Sequence, residues 1–233
     1  ELVAGITMEV AEGEFVAVVG PSGSGKSTIL RAISGLLKPA GGEVKVNGET
    51  VTTPPPHVGF MFQKDALLPW RTVAGNIRVG CELGGTSAAK REARIADLIK
   101  LLRLEGFENS YPRQLSGGMR QRVSLGRLLA YEPQLMLMDE PFGALDYQTK
   151  IAMGLELLRV WEQERRSIIF VTHDIEEAVA LADRVVVFSA RPARIVADYK
   201  VDLPRPRHLR ALRSDPIFTH LTETIWSDLA MPD

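Results

Sequence analysis

Gly20-Pro21-Ser22-Gly23-Ser24-Gly25-Lys26-Ser27 fits the G-x-x-x-x-G-K-[ST] pattern of a phosphate-binding loop. Gly20, Gly23 and Gly25 lack a Cβ, so the backbone can curl and bring its N–H groups close to phosphate oxygens. Lys26 would reach the β- and γ-phosphates, and the Ser27 hydroxyl would ligate Mg²⁺. Thr28 continues into the helix that leaves the loop, whose positive end favours an anion. Four more residues suit the same chemistry. Asp139-Glu140 directly follow the apolar run Leu135–Met138, where two carboxylates are costly to bury without a cation. A magnesium nucleotide supplies one. Asp139 would hold the metal's water shell, and Glu140 would act as base or polariser toward an attacking water. Gln63 and His173 each follow an apolar run as well.

These groups need a scaffold that gathers them. Phe15–Val19, Val58–Phe62, Leu135–Met138 and Ser167–Thr172 read as short buried strands, with Val185–Phe188 as another. They end respectively at Gly20, Gln63, Asp139 and His173, with no chemistry assigned to the last strand. In an open α/β sheet, ligands bind beyond the carboxyl ends of the strands, so four polar ends can share one site. The pattern predicts phosphoryl transfer to water, which depends on positioning and charge neutralisation.

The connecting segments predict the rest. Ile6–Val10 alternates as a half-buried strand. Val44-Lys45-Val46 before Asn47-Gly48 predicts a two-residue hairpin. Residues 73 to 130 read as a helical insert, with a helix over Ala88–Leu104 and another over Met119–Ala130. Ser116, Gly117 and Gly118 at that helix start make a second anion-binding end. Gln148–Trp161 is amphipathic, and Asp174 with Glu177 forms a capping box for the helix through Leu181. Ile195-Val196 and Tyr199–Val201 suggest a small hairpin, and a helix should run to Leu229. Leu67-Leu68-Pro69-Trp70 is either a contact surface or a loop folded back on the core.

Composition sets the limits. The 233 residues are 45% hydrophobic and 24% charged, ordinary values for a globular chain with ample core. A net charge of −1 gives no electrostatic reason to expect nucleic acid. Cys81 is the only cysteine, which excludes an internal disulfide framework. No apolar run approaches the length of a membrane span.

The set Gly20–Ser27, Gln63, Leu115–Gly118, Leu135–Glu140, Ala144-Leu145-Asp146 and His173 resembles the nucleotide-binding subunit of an ATP-binding cassette (ABC) transporter. The resemblance covers nearly the whole chain, in the family's order. It implies an α/β fold with a P-loop NTPase (RecA-like) core, an antiparallel β subdomain and a helical subdomain over about residues 76–130. The whole would be one ATPase domain over residues 1–233, with a C-terminal extension from about 204 to 233. By the same resemblance Gln63 touches Mg²⁺ and senses the membrane subunit, Ser116–Met119 is the signature motif, Asp146 belongs to the D-loop, and His173 is the switch histidine on the γ-phosphate.

ATP and Mg²⁺ are the implied ligands. The implied partners are a second copy or paralogue in a head-to-tail dimer, transmembrane permease subunits and, indirectly, a periplasmic solute-binding protein. Ser116 and Gly118 of the other copy would cap each site. The implied location is the cytoplasmic face of the bacterial inner membrane. Leu67–Val73 and the tail Val201–Arg207 resemble importers of nitrate, sulfonate, taurine or bicarbonate. Two departures stand out. The signature ends in Met119 where many relatives carry glutamine, and the aromatic residue on which the family stacks adenine, expected upstream of the first strand, would fall before Glu1. A soluble ABC-type ATPase not tied to transport is the alternative. It fits less well, because relatives that act on chromosomes carry long coiled coils and those that act on ribosomes carry two cassettes in one chain.

Overall fold

The computed structural model describes all residues except Glu1, Leu2, Ala4, Ala144 and 231–233. Its centre is a six-stranded sheet. In chain order the strands are β1 (Phe15–Val19), β4 (Val58–Met61), β5 (Leu135–Asp139), β6 (Ser167–Val171), β7 (Arg184–Phe188) and β8 (Ile195–Lys200). Across the sheet the order is β4-β5-β6-β1-β7-β8, with β8 antiparallel to β7 and the other neighbours parallel. Between β1 and β4 lie helix α1 (Lys26–Ile33) and the two-residue strands β2 (Lys45–Val46) and β3 (Glu49–Thr50). Helices α2 (Val73–Leu83), α3 (Ala88–Leu101) and α4 (Gly117–Tyr131) fill the interval to β5. Helices α5 (Tyr147–Glu164), α6 (Ile175–Leu181) and α7 (Pro216–Ala230) complete the chain.

The strands read as continuous apolar runs because both sheet faces are covered. Alternate residues of β1 enter different cores. Val16 and Val18 pack with Leu30 and Ile33 of α1, and Phe15, Ala17 and Val19 join the larger core that includes α4, α5 and α6. On that larger face Phe15 meets Trp161 edge-on at 6.0 Å and Phe170 at 5.9 Å, and Phe142 continues the stack at 5.6 Å from Phe170. Trp161 carries two guanidinium groups on its ring, Arg165 at 4.5 Å and Arg205 at 4.1 Å.

Several local expectations change. Ile6–Val10 keeps its alternation of half-buried and exposed residues but is not a strand. Ile6, Met8 and Val10 satisfy the alternation by packing on the α1 core, which needs no ladder. The hairpin at Asn47-Gly48 forms, with φ of 52° and 80°, the left-handed pair such a turn requires. Its strands are only two residues each and form a separate sheet, so the antiparallel part is smaller than expected. No hairpin forms within 195–201. Ala197 and Asp198 stay extended opposite Val187 and Val186, and Ile195–Lys200 becomes the one strand β8. The predicted 88–104 helix ends at Leu101, because Arg103 turns left-handed at φ 54°.

The tail motif has a structural role. Arg207 is buried and donates to the carbonyls of Val179, Ala180 and Ala182, which end α6. Arg205 donates to the Leu181 carbonyl and pairs with Asp183 at 2.7 Å. Burial, reinforced by the neighbouring Arg205 charge, lowers the Arg207 pKa to about 10, so it remains a cation at neutral pH. Removing its side chain would orphan carbonyls at the end of α6. Arg207→Ala should therefore cost about 2–4 kcal/mol, read as a melting temperature lower by roughly 4–16 °C. An unchanged melt would show that the tail does not brace α6.

Candidate functional site

The neighbouring strands β4, β5, β6 and β1 all point the same way, so their carboxyl ends line one edge of the sheet. Gln63, Asp139-Glu140, His173 and Gly20 follow those ends in that order. The loop after β1 curls through left-handed glycines, with Gly23 at φ 77° and Gly25 at 101°, and Gly25 caps α1. A Cβ on Gly20 would meet the Phe188 carbonyl oxygen at 2.8 Å, so only glycine lets the loop leave β1 beside β7.

Lys26 lies inside the loop, and Nζ donates to the carbonyls of Gly20 at 2.7 Å and Pro21 at 2.9 Å. Burial lowers its pKa, opposed by the charges of Glu140 and Asp139. Ser27 Oγ donates to Asp139 Oδ1 at 2.8 Å. Burial raises the Asp139 pKa, the Ser27 hydrogen bond works against that rise, and the Glu140 charge adds to it. Glu140 takes φ 46°, a left-handed backbone uncommon for a side-chain-bearing residue. Its N–H donates to the Val171 carbonyl, which fixes the turn against β6. Its Oε2 accepts from Gln63 Nε2 at 3.0 Å and lies 3.2 Å from His173 Nδ1. The structure thus gathers Lys26, Ser27, Gln63, Asp139, Glu140 and His173 in one place.

A cavity of about 170 Å³ is lined by Ser22, Gly23, Gly25, Lys26, Ser27, Thr28, Glu140 and Arg191. That is below the roughly 300–1,000 Å³ of a pocket enclosing a whole ligand, and it suits the polyphosphate end of a nucleotide. Ser116, Gly117 and Gly118 do not line it. Ser116 instead caps α4 by accepting from the Met119 N–H at 3.3 Å. Of the stretch Ala144-Leu145-Asp146, Ala144 lies outside the described residues, and Asp146 caps α5 by accepting from the Thr149 N–H at 3.0 Å.

The expected capping box on α6 forms only in part. Asp174 Oδ1 accepts from the Glu177 N–H, but the Glu177 carboxylate does not return to the Asp174 N–H. The Thr172 hydroxyl accepts from that N–H at 3.0 Å and donates to Glu177 Oε2. Glu177 Oε1 is shut away from solvent without a partner among the described residues. Sequence spacing could not reveal this substitution, because Thr172 belongs to the strand end and not to the helix.

A parallel sheet with a glycine loop opening a helix, and with carboxylates at the neighbouring strand ends, defines a nucleotide-binding fold of the phosphate-loop class. The family model described as ABC transporter matches residues 3–143. The chain belongs to the ABC transporter family as an ATP-binding, ATP-hydrolysing subunit. It is 41% identical over 224 residues to a taurine import ATP-binding protein of Rhizobium johnstonii, covering 94% of this chain and 86% of the relative. It is 47% identical over 199 residues to a nitrate import ATP-binding protein of Synechocystis sp., covering 85% and 75%. A solved dimeric ATP-binding cassette in a post-hydrolysis state, bound to ADP and Pi, superposes with a TM-score of 0.75 at 32% identity, covering 87% of this chain and 92% of that one.

Burial raises the Glu177 pKa from the usual carboxylate value of 4.5 to about 7. The Thr172 hydrogen bond lowers it, the Asp174 charge raises it, Lys150 opposes and Glu140 adds to the rise. The folded state therefore holds this proton more tightly than the unfolded chain does. The associated stability is present below about pH 4.5 and is lost as pH rises through about 7. Glu177→Gln keeps an acceptor for Thr172 and removes the charge. It should match the wild type near pH 4.5 and exceed its stability by about 2–3 kcal/mol at pH 8. Parallel stability curves for the two proteins between pH 5 and 8 would show that the carboxyl titrates normally.

Proposed function

We propose that this chain powers the import of a small solute, an oxyanion or a sulfonate, across the bacterial inner membrane through a partner permease. The observation that carries the catalytic part is the Glu140 carboxylate, shared between Gln63 and His173 beside the phosphate loop. The solute class rests on relatives whose names specify taurine and nitrate import. We read the chain as a single ATPase domain, with a helical subdomain at about 76–130 and a C-terminal extension from about 204.

In this reading the backbone N–H groups of Ser22 to Thr28 cradle the β- and γ-phosphates, with Lys26 as the cation among them. Glu140 accepts the proton of the attacking water as that water bonds to the γ-phosphorus and the bond from that phosphorus to the β–γ bridging oxygen breaks, releasing ADP and phosphate. Gln63 and His173 hold the Glu140 carboxylate in place, and His173 also faces the γ-phosphate. Ser27 Oγ and Asp139 Oδ1 are hard oxygen donors 2.8 Å apart. They fit Mg²⁺, which takes one or two protein oxygens and fills its remaining positions with water and phosphate. When bound, Mg²⁺ would neutralise charge on the phosphates. Gln63 is its further candidate contact.

The signature turn Ser116–Gly118 contributes nothing to its own chain's cavity. It is an anion-binding helix end whose hydroxyl caps α4, exposed and free to serve another chain. We therefore assign it to the site of a second copy or paralogue in a head-to-tail dimer, with ATP as the ligand between them. No helix among the described residues is long and apolar enough to cross a membrane. The permease must supply the spans, and this chain would sit peripherally on the cytoplasmic face. Trp70 is 71% exposed on the loop after Gln63 and is our candidate for the permease contact, whereas Leu67 packs on the core. A periplasmic binding protein would act on the other side of the membrane, and no nucleic acid is involved.

Glu140→Gln should bind ATP, lose about 10²-fold or more of its turnover, and accumulate as an ATP-dependent dimer in size-exclusion chromatography. Wild-type turnover in that variant would remove Glu140 as the base. Proteoliposomes carrying the permease should take up nitrate or an alkanesulfonate with ATP, and Glu140→Gln should stop uptake. Uptake that continues at the wild-type rate would break the link between this site and transport. Ser116→Arg should keep nucleotide binding while abolishing both dimer and turnover. Normal hydrolysis by this variant would mean that one chain completes the site alone.

A further inference from the structure

Every residue lining the phosphate cavity comes from the loop and start of α1 or from the end of β5, with one exception, Arg191. Arg191 lies in the turn joining β7 to β8. That turn is closed at its base: the Ser189 N–H donates to the Arg194 carbonyl at 3.0 Å, and the Arg194 N–H donates to Ser189 Oγ at 3.1 Å. From there the Arg191 side chain reaches the outer curl of the phosphate loop and donates through Nε to the Gly23 carbonyl. The approach is close. A Cβ on Gly23 would come 3.0 Å from Arg191 Nη2 and 3.5 Å from Cζ, so the guanidinium lies against the glycine itself.

A guanidinium has five N–H donors. Among the described residues only Nε has a hydrogen-bond acceptor, and the group pairs with no carboxylate. The residue lines the phosphate cavity. The fixed charges of the site make the same point. Lys26 and Arg191 are the two cations among the residues that line the cavity and Glu140 is the carboxylate there, so Arg191 tips the lining toward positive charge for an incoming polyanion. The Gly23 carbonyl holds the guanidinium by Nε and leaves the planar fork of the other nitrogens for phosphate oxygens.

We propose that Arg191 is a nucleotide-binding residue, a second cation for the polyphosphate of ATP or ADP, delivered by the β7–β8 turn and seated by Gly23. This rests on reading the phosphate loop as the nucleotide site, and the test separates the two. Arg191→Gln keeps an amide donor for the Gly23 carbonyl and removes the charge. ATP and ADP affinities would be measured by equilibrium titration of the full chain at low and high salt, with Lys26→Ala alongside.

Arg191→Gln should bind both nucleotides about tenfold or more weakly at low salt. The deficit should shrink as salt screens the wild-type cation, and Arg191→Lys should fall between the two. Ligand-free melting temperatures should be alike, since the residue is exposed. Wild-type affinity in Arg191→Gln overturns the proposal. So does a deficit that is the same at every salt concentration, which would make Arg191 an uncharged clasp on the loop. If Lys26→Ala loses affinity and Arg191→Gln does not, the nucleotide site stands without Arg191. If neither variant loses affinity, the site reading falls with the proposal.

Discussion

The hydrogen bond from Ser27 Oγ to Asp139 Oδ1 ties the start of α1 to the end of β5. β6 lies between β5 and β1 in the sheet, so this bond crosses a strand. It forms because α1 doubles back over the sheet and packs against both β5 and β6. Asp139 is largely withdrawn from water, which raises its pKa, and the Ser27 hydroxyl is the donor that keeps the carboxylate tolerable there. The phosphate loop is the segment stretched between β1 and this anchor. Its glycine curls carry the chain from β1 to this anchor, with Lys26 seated inside them.

The site was legible in the sequence because each reactive residue directly follows an apolar run. A parallel strand buried on both faces leaves no choice about which residues are interior, and strand polarity then decides which end carries chemistry. Gln63, Asp139, Glu140 and His173 could therefore be placed without knowing the strand order. Arg191 could not. It follows β7, whose end showed no polar motif, and only the observed neighbourhood of β7 with β1 brings it to Gly23. Thr172 escaped for a related reason, since its hydroxyl takes over half of a cap that helix spacing assigns to Glu177. Ile6–Val10 departs from the expected strand because alternation reports half-burial, which a packed extended segment satisfies as well, and the expected hairpin at 195–201 gives way to a single strand paired with β7.

The phosphate cavity is small, and the exposed Ser116 turn, whose hydroxyl caps α4, does not line it. Arg120 fixes that turn further, pairing with Asp65 at 2.8 Å and donating to the Leu115 carbonyl. Asp65 lies two residues beyond Gln63, and Gln121 Nε2 donates to the Gln63 carbonyl at 3.3 Å. The turn after β4 and the start of α4 are therefore tied together by side-chain hydrogen bonds.

His173 shows how the fold confines motion to where it is useful. The helix that follows it, α6, is held at both ends: Asp174 and Thr172 satisfy its first N–H groups, and Arg207 and Arg205 satisfy its last carbonyls. A helix this short would fray without such partners. Lys150 of α5 adds a bond to Asp174 at 3.2 Å. His173 lies two residues past the end of β6 and two before the start of α6, flanked by Thr172 and the N-cap Asp174, whose side chains are both hydrogen-bonded, while about half of its own side chain is exposed. Rotation of that side chain is the simplest way to change its contact with Glu140. The histidine can thus exchange the carboxylate for another hydrogen-bonding partner without disturbing the sheet beneath it.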